Sequence, residues 1–420
     1  MTVHTAEHIR IKSANVPPAQ TWNRLRANSL ALTVPKTPDA GTVYLPLPRL
    51  FERIECGMGP EVTDYINSQV FEATYHEVPA HTTRKEPIVI SVSAAENECT
   101  NTGIMVREGA EATIVVVARA GEKNTEAAAD NTGAKVNAKA DVAAGTKANA
   151  EADVAADTKA DTETKIDTDA PGAADALATS AALVRIVAEK HARIHLVEML
   201  GVDDDQQHLE SVGIEAHEDA VCDVRQYALG GGAVGMGLAV NLVGNRARLD
   251  LNNRYHACHE ELLDINHVAR MRGCATRAEI VESGILNDSA HKTLRATIDL
   301  IRGSKDAKGN EAETVQILGD GVVNKTMPVI LCDEDNVAGN HGATIGSVSP
   351  EQIEYLQARG LSRHEAELLF VRALFEDAII HAPEALSHAV AVERAEKVLG
   401  ADVAHDFDDA SEVTFGGDKA

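Results

Sequence analysis

AVCDVRQYALGGGAVGMGLAVNLVGNRARLDL, residues 220–251, carries the same five-residue motif at both ends. Ala220-Val-Cys222-Asp-Val224 and Ala247-Arg-Leu249-Asp-Leu251 each set an alanine, then a small or apolar residue two and four positions on. Side chains two apart share one face of an extended chain, whereas a helix would scatter them, so the period predicts strands. The motif recurs upstream as Ala192-Arg-Ile194-His-Leu196 and Ala110-Glu-Ala112-Thr-Ile114. Starts at 192, 220 and 247 lie 28 and 27 residues apart. Gly201, Gly213, Gly230–Gly232 and Gly244 punctuate the units. Short strands at a fixed period suggest a β-solenoid or a sandwich, and four units of one kind favour the solenoid.

The first interval is longer. From 110 to 192 is 82 residues, one period plus about 55. A segment of nearly that length, about 122–176, is rich in Ala, Asp, Lys, Thr and Glu and nearly lacks large apolar residues. It cannot bury enough surface to offset chain entropy and is expected to be a disordered loop grown from one coil. Beyond Leu251 the motif blurs, although RAEIVESGILNDSAHKTLRATIDLIRG still reads as strands and turns. The expected organisation is a mixed N-terminal region over 1–85 with the only tryptophan, Trp22, and a β core over 86–348. A helical domain over 349–400 and a flexible tail over 401–420 follow. Ser349-Pro350-Glu351-Gln352 and Ser362-Arg363-His364-Glu365 are capping-box patterns that predict helix starts. Ala366, Leu369, Phe370, Ala373 and Leu374 then form a stripe at helical spacing, and a helical hairpin is expected to cap the open end of the strands.

Composition narrows the function. There are 65 acidic against 39 basic residues, a formal charge of -26, which repels phosphate backbones and anionic membrane surfaces. No run of about 18 apolar residues occurs, and the first twenty residues lack a secretory signal pattern, so a cytoplasmic chain is expected. The six cysteines form no C-x-x-C pair and are expected to be free thiols, mostly buried in strands. Gly230, Gly232 and Gly235 satisfy G-x-G-x-x-G, yet alternating sequence follows where a nucleotide site needs a helix, so they read as a turn. No G-x-S-x-G, H-E-x-x-H or Walker motif is present, and no catalytic set can be placed. Scarce aromatics (3%) and the lack of a paired catalytic acid set weigh against a carbohydrate-cleaving solenoid. His256 and Cys258 would share one strand face, with His259 on the other and His267 nearby, a weak metal set against the plainer reading of buried polar residues.

MPVILCDEDNVAGNHGATIGSVSPEQIEYLQARGLSRHEAELLFVRALFEDAI resembles the C-terminal signature of the SufB/SufD family of iron–sulfur cluster assembly proteins. Its core, an H-G-A-T-x-G turn and then Q-x-x-Y-L-x-x-R-G, falls on His341–Gly346 and Gln352–Gly360. The H-G-A form, and the lack of a cysteine-rich N-terminal motif, lean towards SufD over SufB. The resemblance implies a right-handed parallel β-helix and no enzymatic activity of the chain's own. It implies a SufB-like paralogue as partner in a heterodimer or homodimer, and a SufC-type ABC ATPase docked on the C-terminal helices through Leu369, Phe370, Ala373 and Leu374. It also implies a transient iron–sulfur cluster shared with that partner rather than a stably bound cofactor. His341 would be the cluster or interface residue. Many SufD chains carry a cysteine two residues before it, where Gly339 stands here, and Cys332 is the nearest thiol. The alternatives are a SufB-like scaffold that binds the nascent cluster itself and a bare solenoid serving as an interaction protein.

Overall fold

The computed structural model describes residues 8–19, 27–36, 45–121 and 176–400. Residues 122–175, Trp22 and the tail beyond 400 lie outside the described residues, and with them the expected disorder of the insert. The alternating segments form two parallel sheets of eight strands, and the chain crosses to the other sheet at every turn. One sheet stacks β4 (Ile88–Ser93), β6 (Glu111–Arg119), β8 (Arg193–Gly201), β10 (Val221–Ala228), β12 (Arg248–Ala257), β14 (Arg277–Leu286), β16 (Lys308–Ile317) and β18 (Ala338–Gly346). The other stacks β3 (Thr74–Val78), β5 (Cys99–Val106), β7 (Ala178–Ala188), β9 (Gln206–Ala216), β11 (Ala233–Leu242), β13 (Leu262–Met271), β15 (His291–Leu300) and β17 (Val323–Cys332). The protein is therefore mainly β, a parallel solenoid, as the period predicts.

Register explains the motif. Ile114, Leu196, Val224, Leu251 and Ile280 stand opposite one another in one column, and all five are buried between the sheets. Each apolar side chain sheltered this way contributes about 1.5–3 kcal/mol. The column continues through Glu311 to His341, so the repeat does not stop at Leu251. It blurs because Thr276 stands where the motif has alanine, and one coil later Glu311 replaces the inward apolar residue, while the backbone keeps its register.

Both sheets are covered on the outside over part of their length. Strands β1 (His8–Ala14) and β2 (Leu30–Pro35), an antiparallel pair, pack with helix α1 (Pro60–Gln69) on β7 and β9 through Ile11, Leu30, Met58, Ile66, Leu183 and Leu209. The approach is close: a Cβ on Gly237 would lie 2.4 Å from the Gly57 backbone, so only glycine fits. That contact accounts for part of the glycine run. Gly230 and Gly231, at φ 109° and 146°, form the turn before β11.

Three helices follow the last strand: α2 (Pro350–Ala358), α3 (Arg363–Ile380) and α4 (Ala385–Leu399). They do not cap the open end, contrary to expectation. Instead α3 and α4 lie against the side of the solenoid, where Val371, Phe375, Val390 and Ala395 cover Val115, Val117, Met199 and Tyr227. Those outward valines and Met199 are apolar because the helices bury them, a signal that alternation alone does not carry. The second capping box forms as predicted: the Glu365 amide donates to Ser362 Oγ at 3.2 Å, and the Ser362 amide to Glu365 Oε2 at 2.7 Å. The first does not; Ser349 Oγ donates to Glu351 instead, at 2.7 Å.

Candidate functional site at the open end of the solenoid

β18 ends its sheet, and every residue from Gly339 to Gly346 is exposed. One strand inward, β16 buries Gly309, Glu311, Glu313 and Val315. His341 sits opposite Glu311, so it occupies the inward column of the final coil and is exposed because no further coil covers it. Gly339, two residues before it, shares the same inward face: an added Cβ there would meet Ile330 and Leu300 side chains at 3.1 Å. A cysteine at 339 would thus share a face with His341, and this chain lacks it. Cys332 pairs in register with Leu300, is exposed, and its thiol donates to the Glu334 carbonyl at 3.3 Å. It stands at the turn end of β17, whereas His341 is the fourth residue of β18.

Beneath this end the interior is polar. Glu198, Gln226, Asn253, Glu282 and Glu313 form one register column, two residues beyond the apolar column. Gln226 donates to Glu198 and Asn253 to Glu282, both at 2.7 Å. The facing sheet supplies His267, 2.6 Å from Glu282, and His208, 3.0 Å from Glu210. Nearest the open end, Lys292 Nζ donates to Glu313, to Asn324 Oδ1 at 3.0 Å and to Thr326 Oγ1 at 3.1 Å, and the Tyr255 hydroxyl joins on Glu313 at 2.7 Å. Burial, and then Glu210, raises the Glu198 carboxyl to about 8, while burial lowers His208 to about 3. Burial also pushes Glu210 well above the usual carboxylate range. One oxygen each of Glu198, Glu210 and Glu313, both of Glu311, and His267 Nε2 are buried without a hydrogen-bond partner among the described residues. The metal and cluster readings of the sequence did not include this column. Its signal is the polar residue that follows the motif's second apolar position by two.

The weaker metal set does not converge. His256 is buried edge-on to Phe375, with ring centroids 5.7 Å apart, and burial lowers its pKa to about 3. His267 faces Glu282 in the interior. Cys258 lies past the end of β12, its sulfur 3.5 Å from His259 Nδ1. The two do not oppose each other, because His259 has φ 51° and alternation ends at the turn. The α3 stripe is likewise divided. Leu374 is buried against the solenoid and Phe370 is half-buried, which leaves Leu369 and Ala373 exposed.

Comparisons with known proteins agree with this architecture. The family described as SUF system FeS cluster assembly, SufBD core domain, matches residues 143–374, more than half of the chain. Iron-sulfur cluster assembly protein SufD of Bacillus subtilis is 31% identical over 99 residues, 24% of this chain and 23% of that protein. SufBD family protein MJ0034 of Methanocaldococcus jannaschii is 24% identical over 179 residues, 42% of this chain and 55% of that protein. Escherichia coli SufD is 22% identical over 156 residues, 37% of each chain. The matched segments thus span between about a quarter and just over half of those relatives. Among the described residues no helix is long and apolar enough to cross a membrane. On its parallel solenoid and the match across residues 143–374, the chain belongs to the SufBD core family of the SUF iron–sulfur cluster assembly system.

Proposed function

We propose that the chain is a SufD-like, non-catalytic subunit of a cytoplasmic SUF complex. It pairs with a SufB-like paralogue at the open end of the solenoid and docks a SufC-type ABC ATPase on its C-terminal helices. It holds no iron–sulfur cluster stably and offers His341 to one assembled with its partner. The exposed final strand carries this reading: backbone donors and acceptors along β18 are free to meet another chain, and His341 lies among them on the inward column. A neutral imidazole suits iron, and Gly342 beside it leaves room for a second backbone. On the helices, Leu369 and Tyr355 are exposed apolar surface suited to the ATPase.

The test is capture of a SufC-type ATPase by the whole chain and by a form ending at Ser349. Loss of capture on truncation, and on Leu369→Asp in the whole chain, is expected; capture that survives both removes the docking assignment. The scaffold reading has one observation of its own, the exposed Cys332 thiol on the last coil. Anaerobic reconstitution separates the two: cluster absorbance retained by the isolated chain and lost on Cys332→Ser favours the scaffold.

A further inference from the structure

Three turns on one side of the solenoid bring together donors that sequence spacing keeps apart. The β12–β13 turn holds Cys258 and His259, and the β14–β15 turn, one coil on, holds Asp288. Cys258 Sγ, His259 Nδ1 and an Asp288 carboxylate oxygen all lie within 4.8 Å of one another. A carboxylate oxygen of Asp204, from the β8–β9 turn, lies 3.9 Å from His259 Nδ1. The coil between Asp204 and His259 turns through Gly230, Gly231 and Gly232, and the Arg394 guanidinium lies over Gly230 with Nη1 3.5 Å from Asp204 Oδ1, which leaves Oδ2 to face His259. His259 and Asp288 occupy equivalent left-handed turn positions, at φ 51° and 53°. The His259 amide donates to Asp288 Oδ2 at 3.0 Å, which fixes the carboxylate beside the ring.

We propose that Cys258, His259 and Asp288, with Asp204 as fourth ligand, form a mononuclear site for a borderline divalent cation of the Zn²⁺ type. The distances fit. Bonds of about 2.3 Å to sulfur and about 2.0–2.1 Å to an imidazole nitrogen, at a tetrahedral angle, set those two atoms about 3.6 Å apart. Cys258 Sγ and His259 Nδ1 are 3.5 Å apart. One thiolate, one imidazole and two carboxylates form a mixed set that such cations accept. The sulfur is the buried inner ligand, while the His259 and Asp204 side chains are 69% and 63% exposed and leave a path for the ion. Without a cation, Cys258 Sγ and His259 Nδ1 contact each other directly.

The probe is Co²⁺ added to the chelator-treated full chain. One equivalent is expected to give a thiolate-to-cobalt charge-transfer band and the visible bands of a tetrahedral site, both removed by Zn²⁺. Cys258→Ser should abolish the charge-transfer band, and His259→Ala should weaken Co²⁺ binding by about tenfold or more. Cys274→Ser and Cys332→Ser, at the two exposed thiols, should leave the band in place. The proposal is overturned by no band at stoichiometric Co²⁺, by a band that survives Cys258→Ser, or by one lost with Cys332→Ser. His259 is exposed, so unchanged affinity in a folded His259→Ala chain overturns it even where Cys258→Ser misfolds. ATPase capture does not depend on this site and stands or falls separately.

Discussion

Glu198 is fully buried and its carboxyl is raised from 4.5 to about 8. The folded chain therefore holds a proton there that the unfolded chain releases, and the associated stability is complete below pH 4.5 and lost as pH rises through 8. Glu198→Gln keeps the shape and removes the titration. Its melting temperature should gain on the wild type steadily from pH 5 to pH 8; a constant difference across that range would refute the burial argument. His208 has the opposite sign: its lowered pKa contributes stability above pH 6.5 that is lost as pH falls towards 3. At this scale the sequence was partly legible. The inward apolar column was plain in Leu196, Val224 and Leu251, and the same count continued by two residues reaches Glu198, Gln226 and Asn253. What hides that polar column is the expectation that inward means apolar. The grouping of Cys258, His259 and Asp288 could not be read at all, because it depends on one left-handed residue and on contact between coils.

Among the elements, the C-terminal helices are held by a few charged contacts as well as by apolar ones. Arg394 of α4 donates from Nη1 to the Val202 carbonyl at 3.0 Å, from Nε to Leu229 at 3.1 Å, and from Nη2 to Glu261 at 3.0 Å. It thereby reaches turns from three successive coils, and Lys397 adds a contact to Asp203. Arg394→Met would leave Glu261, itself 3% exposed, without its cation and should cost about 3–5 kcal/mol in urea unfolding. Adding Glu261→Gln should recover most of that loss; no recovery would show that packing, not charge, holds the helix. At the start of α3, Ser362→Ala removes a formed capping box and should cost about 1 kcal/mol. The helix starts were legible because caps are local. Where the helices dock was not, since it depends on which outward strand residues are apolar, and Val115, Val117 and Met199 look like ordinary strand residues until α3 and α4 cover them.

Over the whole molecule, every described crossing between β8 and β15 from the first sheet to the second uses four residues: 202–205, 229–232, 258–261 and 287–290. The crossing from β6 to β7 is far longer, and deleting residues 122–175 would leave Ala120, Gly121, Ala176 and Leu177, again four. The shortened chain should fold with a melting temperature within about 2–4 °C of the parent. A larger fall would mean that the insert contributes to the coils beside it. The solenoid itself was legible from three starts at 192, 220 and 247, because a stacked coil repeats its interior and the interior dictates the residues. That β18 is the final strand was not legible, since nothing in its alternation distinguishes a last strand from a middle one.

Arg394 and Lys397 tie three successive coils together from outside, and this grades the molecule in time. Amides of β8, β10 and β12, held under that splint, should exchange with deuterium slowly, whereas those of β16 to β18 open first. An assembly partner would then meet a rim that is already breathing, mounted on a shaft that does not.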